Sequence, residues 1–332
     1  MEKNVDISGG ESAQADLAAP AGASSRDFSR QEMTTGMAAT EAAIEITDLV
    51  VSYGERRAVD GLTLRVPTGS VFGFLGPNGA GKTTTIKALL GLRAPTGGSA
   101  RVLGCDVVTQ SQEVRARVGY VSEVNSLYDY LTIPQLCRFC KSVSRQWDQV
   151  IVDRYLRAFG LPTNKKVGQF SKGMKSQLAL CLALGSRPEM LILDEPTSGL
   201  DPLARHEFLN TLVKEVAAEG KTIFFSSHIL AEVEAVADWI GIIKAGKLLV
   251  ADELDHLKQS QKVLKLTYAE MLPAEEVEAL RALPNVMNLA QEGRSLRILT
   301  RGSAESLAET IQARPHALRD VETVDLNLED LF

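Results

Sequence analysis

One stretch limits what this chain can fold into more than any other: GPNGAGKT, from Gly76 to Thr83, directly after the apolar run VFGFL of Val71 to Leu75. A short apolar run next to a glycine loop suits a strand covered on both faces. The stretch satisfies G-x-x-x-x-G-K-[ST], with Gly76, Gly81, Lys82 and Thr83 in the fixed places. Glycines let the backbone curl until its N–H groups converge, which makes a nest for phosphate oxygens. A helix opening at Lys82 adds the positive end of its dipole. Strand, loop and helix in this order predict an α/β fold, with Gly76, Pro77, Asn78, Gly79, Ala80, Gly81, Lys82, Thr83 and Thr84 as nucleotide-binding candidates. Lys82 is expected to reach the β- and γ-phosphates of a nucleotide and the Thr83 hydroxyl to hold Mg²⁺.

A second segment complements the first. MLIL, Met190 to Leu193, runs into Asp194 and Glu195. Acids directly after a buried strand sit at its carboxyl end, where ligands bind in open α/β sheets. Asp194 is the second candidate around Mg²⁺, and Glu195 is placed to act as general base on an attacking water. TIFFSS, Thr222 to Ser227, reads as a further buried strand, after a helix that Asp201 caps and Pro202 opens. GLTLRV alternates Leu62, Leu64 and Val66 toward one face, as a half-buried strand does.

Other segments set the organisation. Residues 1–41 are rich in small and polar residues and read as a disordered tail; MAATEAAIEITDLV from Met37 resembles a second possible start. Ile133 to Phe159 reads as helices broken near Trp147-Asp148, part of a helical subdomain spanning about 124–185. The segment around Tyr128 to Cys140 is expected to be helical, with Leu127, Tyr128, Tyr130 and Leu131 exposed. From about Val263 the order becomes strand, helix, two strands joined near Gly293, helix, strand, which is the βαββαβ order of a small ferredoxin-like α+β domain over 261–332. The main domain is then 42–260.

Composition excludes several classes. A net charge of −6 leaves no basic footprint for nucleic acid, so no nucleic-acid partner is expected. No run approaches the about 18 to 20 apolar residues that span a bilayer, which predicts a chain that works in the cytosol. Cys137 and Cys140 form a CxxC with no second pair beside them, so a plain helix face is preferred to a metal or redox centre.

Taken together these motifs resemble the ATP-binding subunit of an ABC transporter, from about Ile44 to Leu257. FSKGMKSQLAL, Phe170 to Leu180, is similar to the family's LSGGQ-type signature; Ser171 and Gly173 match, while Lys172 and Met174 depart from it. Ser171 is also a natural N-cap for a helix over 172–184. Ser198, Gly199, Leu200 and Asp201 resemble the D-loop, His228 in SSHIL the switch histidine, and Tyr53 in VSYG the aromatic that stacks on adenine. The family's Q-loop glutamine aligns with Glu123, which keeps the reach and the acceptor oxygen but loses the amide donor.

The resemblance implies a P-loop ABC ATPase cassette that takes ATP and Mg²⁺, the metal held by Thr83, Asp194 and Glu123. It implies catalysis by Glu195, His228 and Lys82, with Ser171, Gly173 and Asp201 acting on the nucleotide of a second protomer. FSKGM, Glu123 and the ending LNLEDLF resemble an exporter branch. The implied partners are a polytopic membrane permease and a second ATPase subunit in a homo- or heterodimer, on the inner face of the cell membrane. An ABC ATPase acting outside transport and a regulatory subunit that binds ATP without hydrolysing it remain alternatives.

Overall fold

A computed structural model describes residues 41–124, 126–301, 304–312 and 318–325. The expected tail up to residue 40 and the ending LNLEDLF therefore lie outside the described residues. In chain order the first elements are β1 (Ala42–Tyr53), β2 (Arg56–Pro67), β3 (Val71–Leu75), α1 (Lys82–Leu89), β4 (Gly97–Val102), β5 (Cys105–Asp106), α2 (Ser111–Arg117) and β6 (Val118–Val121). Next come α3 (Ile133–Val143), α4 (Gln149–Ala158), α5 (Lys172–Gly185), β7 (Met190–Leu193), α6 (Pro202–Thr211), β8 (Thr222–Ser227) and α7 (Leu230–Val236). The chain continues through β9 (Trp239–Lys244), β10 (Lys247–Glu253), α8 (Leu254–Ser260), β11 (Gln261–Tyr268), α9 (Ala274–Arg281), β12 (Val286–Glu292), β13 (Ser295–Arg301), α10 (Ala304–Gln312) and β14 (Leu318–Asp325).

The short apolar runs form the middle of a six-stranded sheet of order β10-β9-β3-β8-β7-β6. β9, β3, β8, β7 and β6 are mutually parallel, and β10 closes the edge antiparallel to β9. Their pleat sends successive side chains to opposite faces. Val71, Leu75, Leu191, Leu193, Ile223 and Phe225 join one core together with α4, α5 and α6. Phe72, Phe74, Met190, Ile192 and Phe224 join the other, beneath α1 and the antiparallel sheet β2-β1-β4-β5. Phe72 stacks on Phe224 at 5.6 Å between ring centroids, a contact worth about 0.5–1.5 kcal/mol beyond area burial.

Local signals end the helices where the sequence leads one to expect. Asp148 caps α4 by accepting from the N–H groups of Val150 and Ile151, which makes the break at Trp147-Asp148. Asp201 caps α6 by accepting from Ala204 N–H, with Pro202 at its first position. Two expectations about the segment before α3 need correction. The helix begins at Ile133, behind a capping box of Thr132 and Gln135, so Tyr128 to Thr132 is not helical. Tyr128 and Tyr130 are exposed, whereas Leu127 and Leu131 are half-buried against the core, because the chain turns back there and the Val167 N–H bonds Leu131 O.

Beyond α8, β11, β12, β13 and β14 form an antiparallel sheet of order β12-β13-β11-β14. One face carries Leu264, Leu266, Leu296 and Ile298 against α9 and α10. Val263 and Leu299, on the other face, join the first core beside Leu254 and Leu257 of α8.

The cysteines are free thiols. Among the described residues no group of His, Cys, Asp and Glu side chains is arranged to hold a metal ion. Burial pushes the thiols of Cys137, Cys140 and Cys181 above their usual range. Thiolate is the reactive form, so alkylation of these three at neutral pH is expected to run more slowly in the folded chain than after denaturation. Mass spectrometry after brief iodoacetamide treatment, with and without denaturant, checks this; rapid labelling of Cys137 or Cys140 in the folded chain contradicts it.

Candidate functional site

Parallel strands bring their carboxyl ends to one edge of the sheet, so the segments that follow them meet there. β3 runs into Gly76, β6 into Ser122 and Glu123, β7 into Asp194 and Glu195, and β8 into His228. Backbone hydrogen bonds fix this register: Gly76 N–H bonds Ser227 O at 3.3 Å and Asp194 N–H bonds Val121 O at 2.8 Å.

The loop from Gly76 to Gly81 turns tightly. Gly81 has φ +113, and a Cβ there would lie 2.5 Å from Ala58 O. A Cβ on Gly76 would lie 2.4 Å from Ile243 O, so both positions require glycine. Lys82 is buried, and its ammonium donates to Gly76 O at 2.6 Å and lies 3.0 Å from Glu195 Oε1. A cavity of about 430 Å³ opens over the loop; Tyr53, Arg56, Asn78, Lys82, Thr83, Glu123 and Glu195 are among its lining.

Asp194 and Glu195 are both buried but held differently. Asp194 Oδ1 accepts from Ser226 Oγ at 2.8 Å and from Thr83 Oγ1 at 3.1 Å. Burial raises the Asp194 pKa, the two hydroxyls oppose that rise, and the charges of Glu123 and Glu195 add to it. Burial, with the Asp194 charge, also pushes neighbouring Tyr120 up to about 12. Glu195 has φ +46, the left-handed region that a glutamate rarely adopts. Its N–H donates to Ser226 Oγ at 2.9 Å, which pins the turn, and its Oε2 lies 2.7 Å from His228 Nδ1. Oε1, although close to Lys82, has no aligned hydrogen bond. Glu195 is thus a buried acceptor facing the phosphate loop, held between a cation and a half-exposed imidazole.

Tyr53 is 46% exposed, with the Arg93 guanidinium over its ring at 4.4 Å from the centroid. Arg93 is fixed by a 2.7 Å bond to Ser52 O, so Tyr53 presents a braced ring to the cavity. Ser171, Gly173 and Asp201 are not in the cavity lining. Ser171 caps α5, its Oγ accepting from Met174 N–H at 3.2 Å. Gly173 lies where a Cβ would be 3.4 Å from Leu200 Cδ2, which sets the start of α5 beside the turn before α6. The predicted residues therefore form two groups, one around Lys82 and one at the starts of α5 and α6. The sequence reading missed Ser226, Arg56 and Arg93. Two serines closing an apolar strand just before His228 are the signal that could have pointed to Ser226.

The oxygen donors of Thr83, Asp194 and Glu123 are hard ligands of the kind Mg²⁺ takes. Thr83 Oγ1 and Asp194 Oδ1 lie 3.1 Å apart, and the burial that chiefly raises the Asp194 pKa, with the added charges of Glu123 and Glu195, is the kind of strain on a carboxylate that a bound cation relieves. The residues present fit the metal.

The sequence profile of the family described as ABC transporter matches residues 59–198. The chain is 43% identical over 222 residues to the bacitracin transport ATP-binding protein BcrA of Bacillus licheniformis, covering 66% of this chain and 72% of that one. It is 35% identical over 305 residues to the Nod factor export ATP-binding protein I of Paraburkholderia xenovorans (strain LB400), covering 88% and 96%. A solved structure described as the ATP binding subunit of an ABC transporter is similar at 31% identity and TM-score 0.59, over 65% of this chain and 92% of that chain.

Ser226 is fully buried, and its hydroxyl joins Glu195 N–H to Asp194. Ser226→Ala leaves that N–H without its acceptor and is expected to destabilise the fold by about 1–3 kcal/mol. Urea unfolding reads this directly; an unchanged midpoint contradicts the bridging role.

Proposed function

The chain belongs to the ATP-binding subunits of ABC transporters, and from that premise we propose that it powers export through a separate polytopic membrane permease, as one half of a dimer of ATPase subunits that ATP closes. As a member of that family it is an ATPase. The observation that carries the hydrolytic part of this reading is the buried Glu195 carboxylate, set beside the phosphate loop between Lys82 and His228.

In this reading the N–H groups of Gly79, Gly81, Lys82 and Thr83, with the Lys82 ammonium, bind the β- and γ-phosphates of ATP. Pro77, Asn78 and Ala80 shape the loop, and Thr84 extends the donor set. The adenine stacks on Tyr53, whose ring Arg93 braces from one side. Thr83, Asp194 and Glu123 would hold Mg²⁺, which when bound would neutralise charge on the phosphate oxygens. Glu195 takes a proton from a water as the water oxygen bonds to the γ-phosphorus and the bond from γ-phosphorus to the bridging oxygen breaks, releasing ADP and phosphate. His228, 2.7 Å from Glu195 Oε2, keeps that carboxylate aimed.

The separate grouping of Ser171, Gly173 and Asp201 supports a site shared between two chains: one protomer's phosphate loop is completed by its partner's α5 start. Two relatives are named for bacitracin transport and for Nod factor export, which supports export as the direction. Among the described residues no helix is long and apolar enough to cross a membrane, so this reading assigns the passage to the permease and the chain to the cytoplasmic face of the membrane. The exposed rings of Tyr128, Tyr130 and Phe139, with Tyr128 edge-on to Phe139 at 5.5 Å, follow Glu123 closely and suit a permease groove. We read 42–260 as the ATPase domain, with a helical subdomain over about 124–185, and 261–332 as an accessory domain whose Val263 and Leu299 anchor it beside α8.

Glu195→Gln keeps the shape and removes the base. Hydrolysis is expected to fall on the order of 10²–10⁴-fold, with ATP affinity within about twofold of the native chain. Phosphate release and nucleotide-binding titrations check this; near-native turnover in Glu195→Gln contradicts the assignment.

A further inference from the structure

A second buried carboxylate lies behind the first. Glu232, in the first turn of α7, is 4% exposed. A buried charge costs several kcal/mol of lost hydration unless it is paired and hydrogen-bonded. Glu232 is held on every side that the structure records. Its Oε2 accepts from Thr197 Oγ1 at 2.8 Å and from Ser227 Oγ at 2.8 Å. Its Oε1 lies 2.9 Å from Arg205 Nε, an ion contact off the hydrogen-bond line.

Each partner sits on a segment of the site. Thr197 is two residues beyond Glu195, and Ser227 immediately precedes His228. One oxygen of Glu232 therefore fixes both segments whose side chains meet in the 2.7 Å contact between Glu195 and His228. Arg205 belongs to α6, and its Nη2 donates to Leu200 O at 3.3 Å. Leu200 in turn lies over Gly173 at the start of α5. Further bonds tighten the same turn: Ser198 N–H to Glu195 O at 3.0 Å and Leu200 N–H to Thr197 O at 3.1 Å.

The backbone of Glu195 explains why such a clamp is needed. A non-glycine residue in the left-handed region is strained and persists where its surroundings over-determine it. Ser226 holds the turn from one side, at the Glu195 N–H, and Glu232 from the other, through Thr197. We infer that Glu232, with Arg205, is a positioning element for ATP hydrolysis, which holds the Glu195 turn and His228 in register and ties both to the α6 and α5 starts. Glu232 touches neither the cavity nor Glu195 itself among the recorded contacts, so it acts through Thr197 and Ser227. The inference rests on Glu195 being the general base.

The test compares steady-state hydrolysis, ATP affinity and thermal unfolding of the full chain with those of its variants. Misplacing a catalytic group by a fraction of its working distance costs up to about 10²-fold in rate. Glu232→Ala is expected to lower kcat about ten- to a hundredfold with KM for ATP within about twofold, because Lys82 and the phosphate loop are untouched. Glu232→Gln recovers part of the rate, since its amide oxygen still accepts from Thr197 and Ser227. Combining Arg205→Ala with Glu232→Ala loses no more rate than Glu232→Ala alone, as expected of two groups acting as one unit. Thr197→Val, a milder change that leaves Glu232 paired with Arg205, moves kcat in the same direction without moving KM. Native kcat in Glu232→Ala, or in Thr197→Val should Glu232→Ala not fold, overturns the inference. So does a loss in which kcat, ATP affinity and unfolding temperature fall together, with no recovery in Glu232→Gln. Glu195→Gln measured beside them separates the two levels: if it is inactive while the Glu232 variants are native, the base assignment stands and this inference falls; if it is active, both fall.

Discussion

A lysine and a glutamate buried against each other set the terms for everything around the site. Taking either charge out of water costs several kcal/mol, and their mutual attraction offsets that only when geometry holds them together. Here Lys82 Nζ and Glu195 Oε1 lie 3.0 Å apart, and His228 closes on the other carboxylate oxygen at 2.7 Å. The lysine is supplied by a helix that a glycine loop starts, the glutamate by the end of a buried strand, and the histidine by the end of the next one. Hence the fold must deliver three strand ends to one place, and five parallel strands in one sheet do so. The two cores on its faces are what keep that sheet rigid.

Not every residue that the motifs single out gathers at this contact. Glu195 Oε1 is buried without an aligned hydrogen bond, and Glu195 lines the cavity together with the phosphate loop, Tyr53, Arg56 and Glu123. Ser171, at the capped start of α5, is outside that lining, and Gly173 lies beside the turn before α6. We propose a second copy of the chain, turned to bring the two groups together. In the proposed account, ATP is the group that both halves hold, so binding closes the pair and hydrolysis reopens it.

Much of this was legible in the sequence because the signals are local. The glycines of the phosphate loop, the acids after MLIL, the caps at Ser171 and Asp201 and the break at Trp147-Asp148 each depend on neighbours within a few residues. The strand and helix order beyond Val263 was legible for the same reason, since strand and helix periods alternate cleanly there. What the sequence hid depends on partners far along the chain. Arg93 over Tyr53 joins positions 40 residues apart, and Ser226 joins Asp194 across 32. The half-burial of Leu127 and Leu131 is decided by a bond to Val167, not by their own pattern. β4, β5, β6, β9 and β10 went unread; β4 is weakly patterned and fixed by its pairing with β1, whereas β9 (WIGIIK) carries a buried apolar run of the same kind as β3.

The most direct measurement of the central claim mixes two inactive proteins. Ser171→Arg blocks the α5 start and leaves the phosphate loop; Lys82→Ala does the reverse. If each site is built from both protomers, a mixed dimer carries both defects in one site and none in the other. The account predicts that phosphate release, absent from either variant alone, returns to a sizeable fraction of the native rate when the two are combined. No recovery in confirmed mixed dimers, or full activity of Ser171→Arg alone, contradicts it.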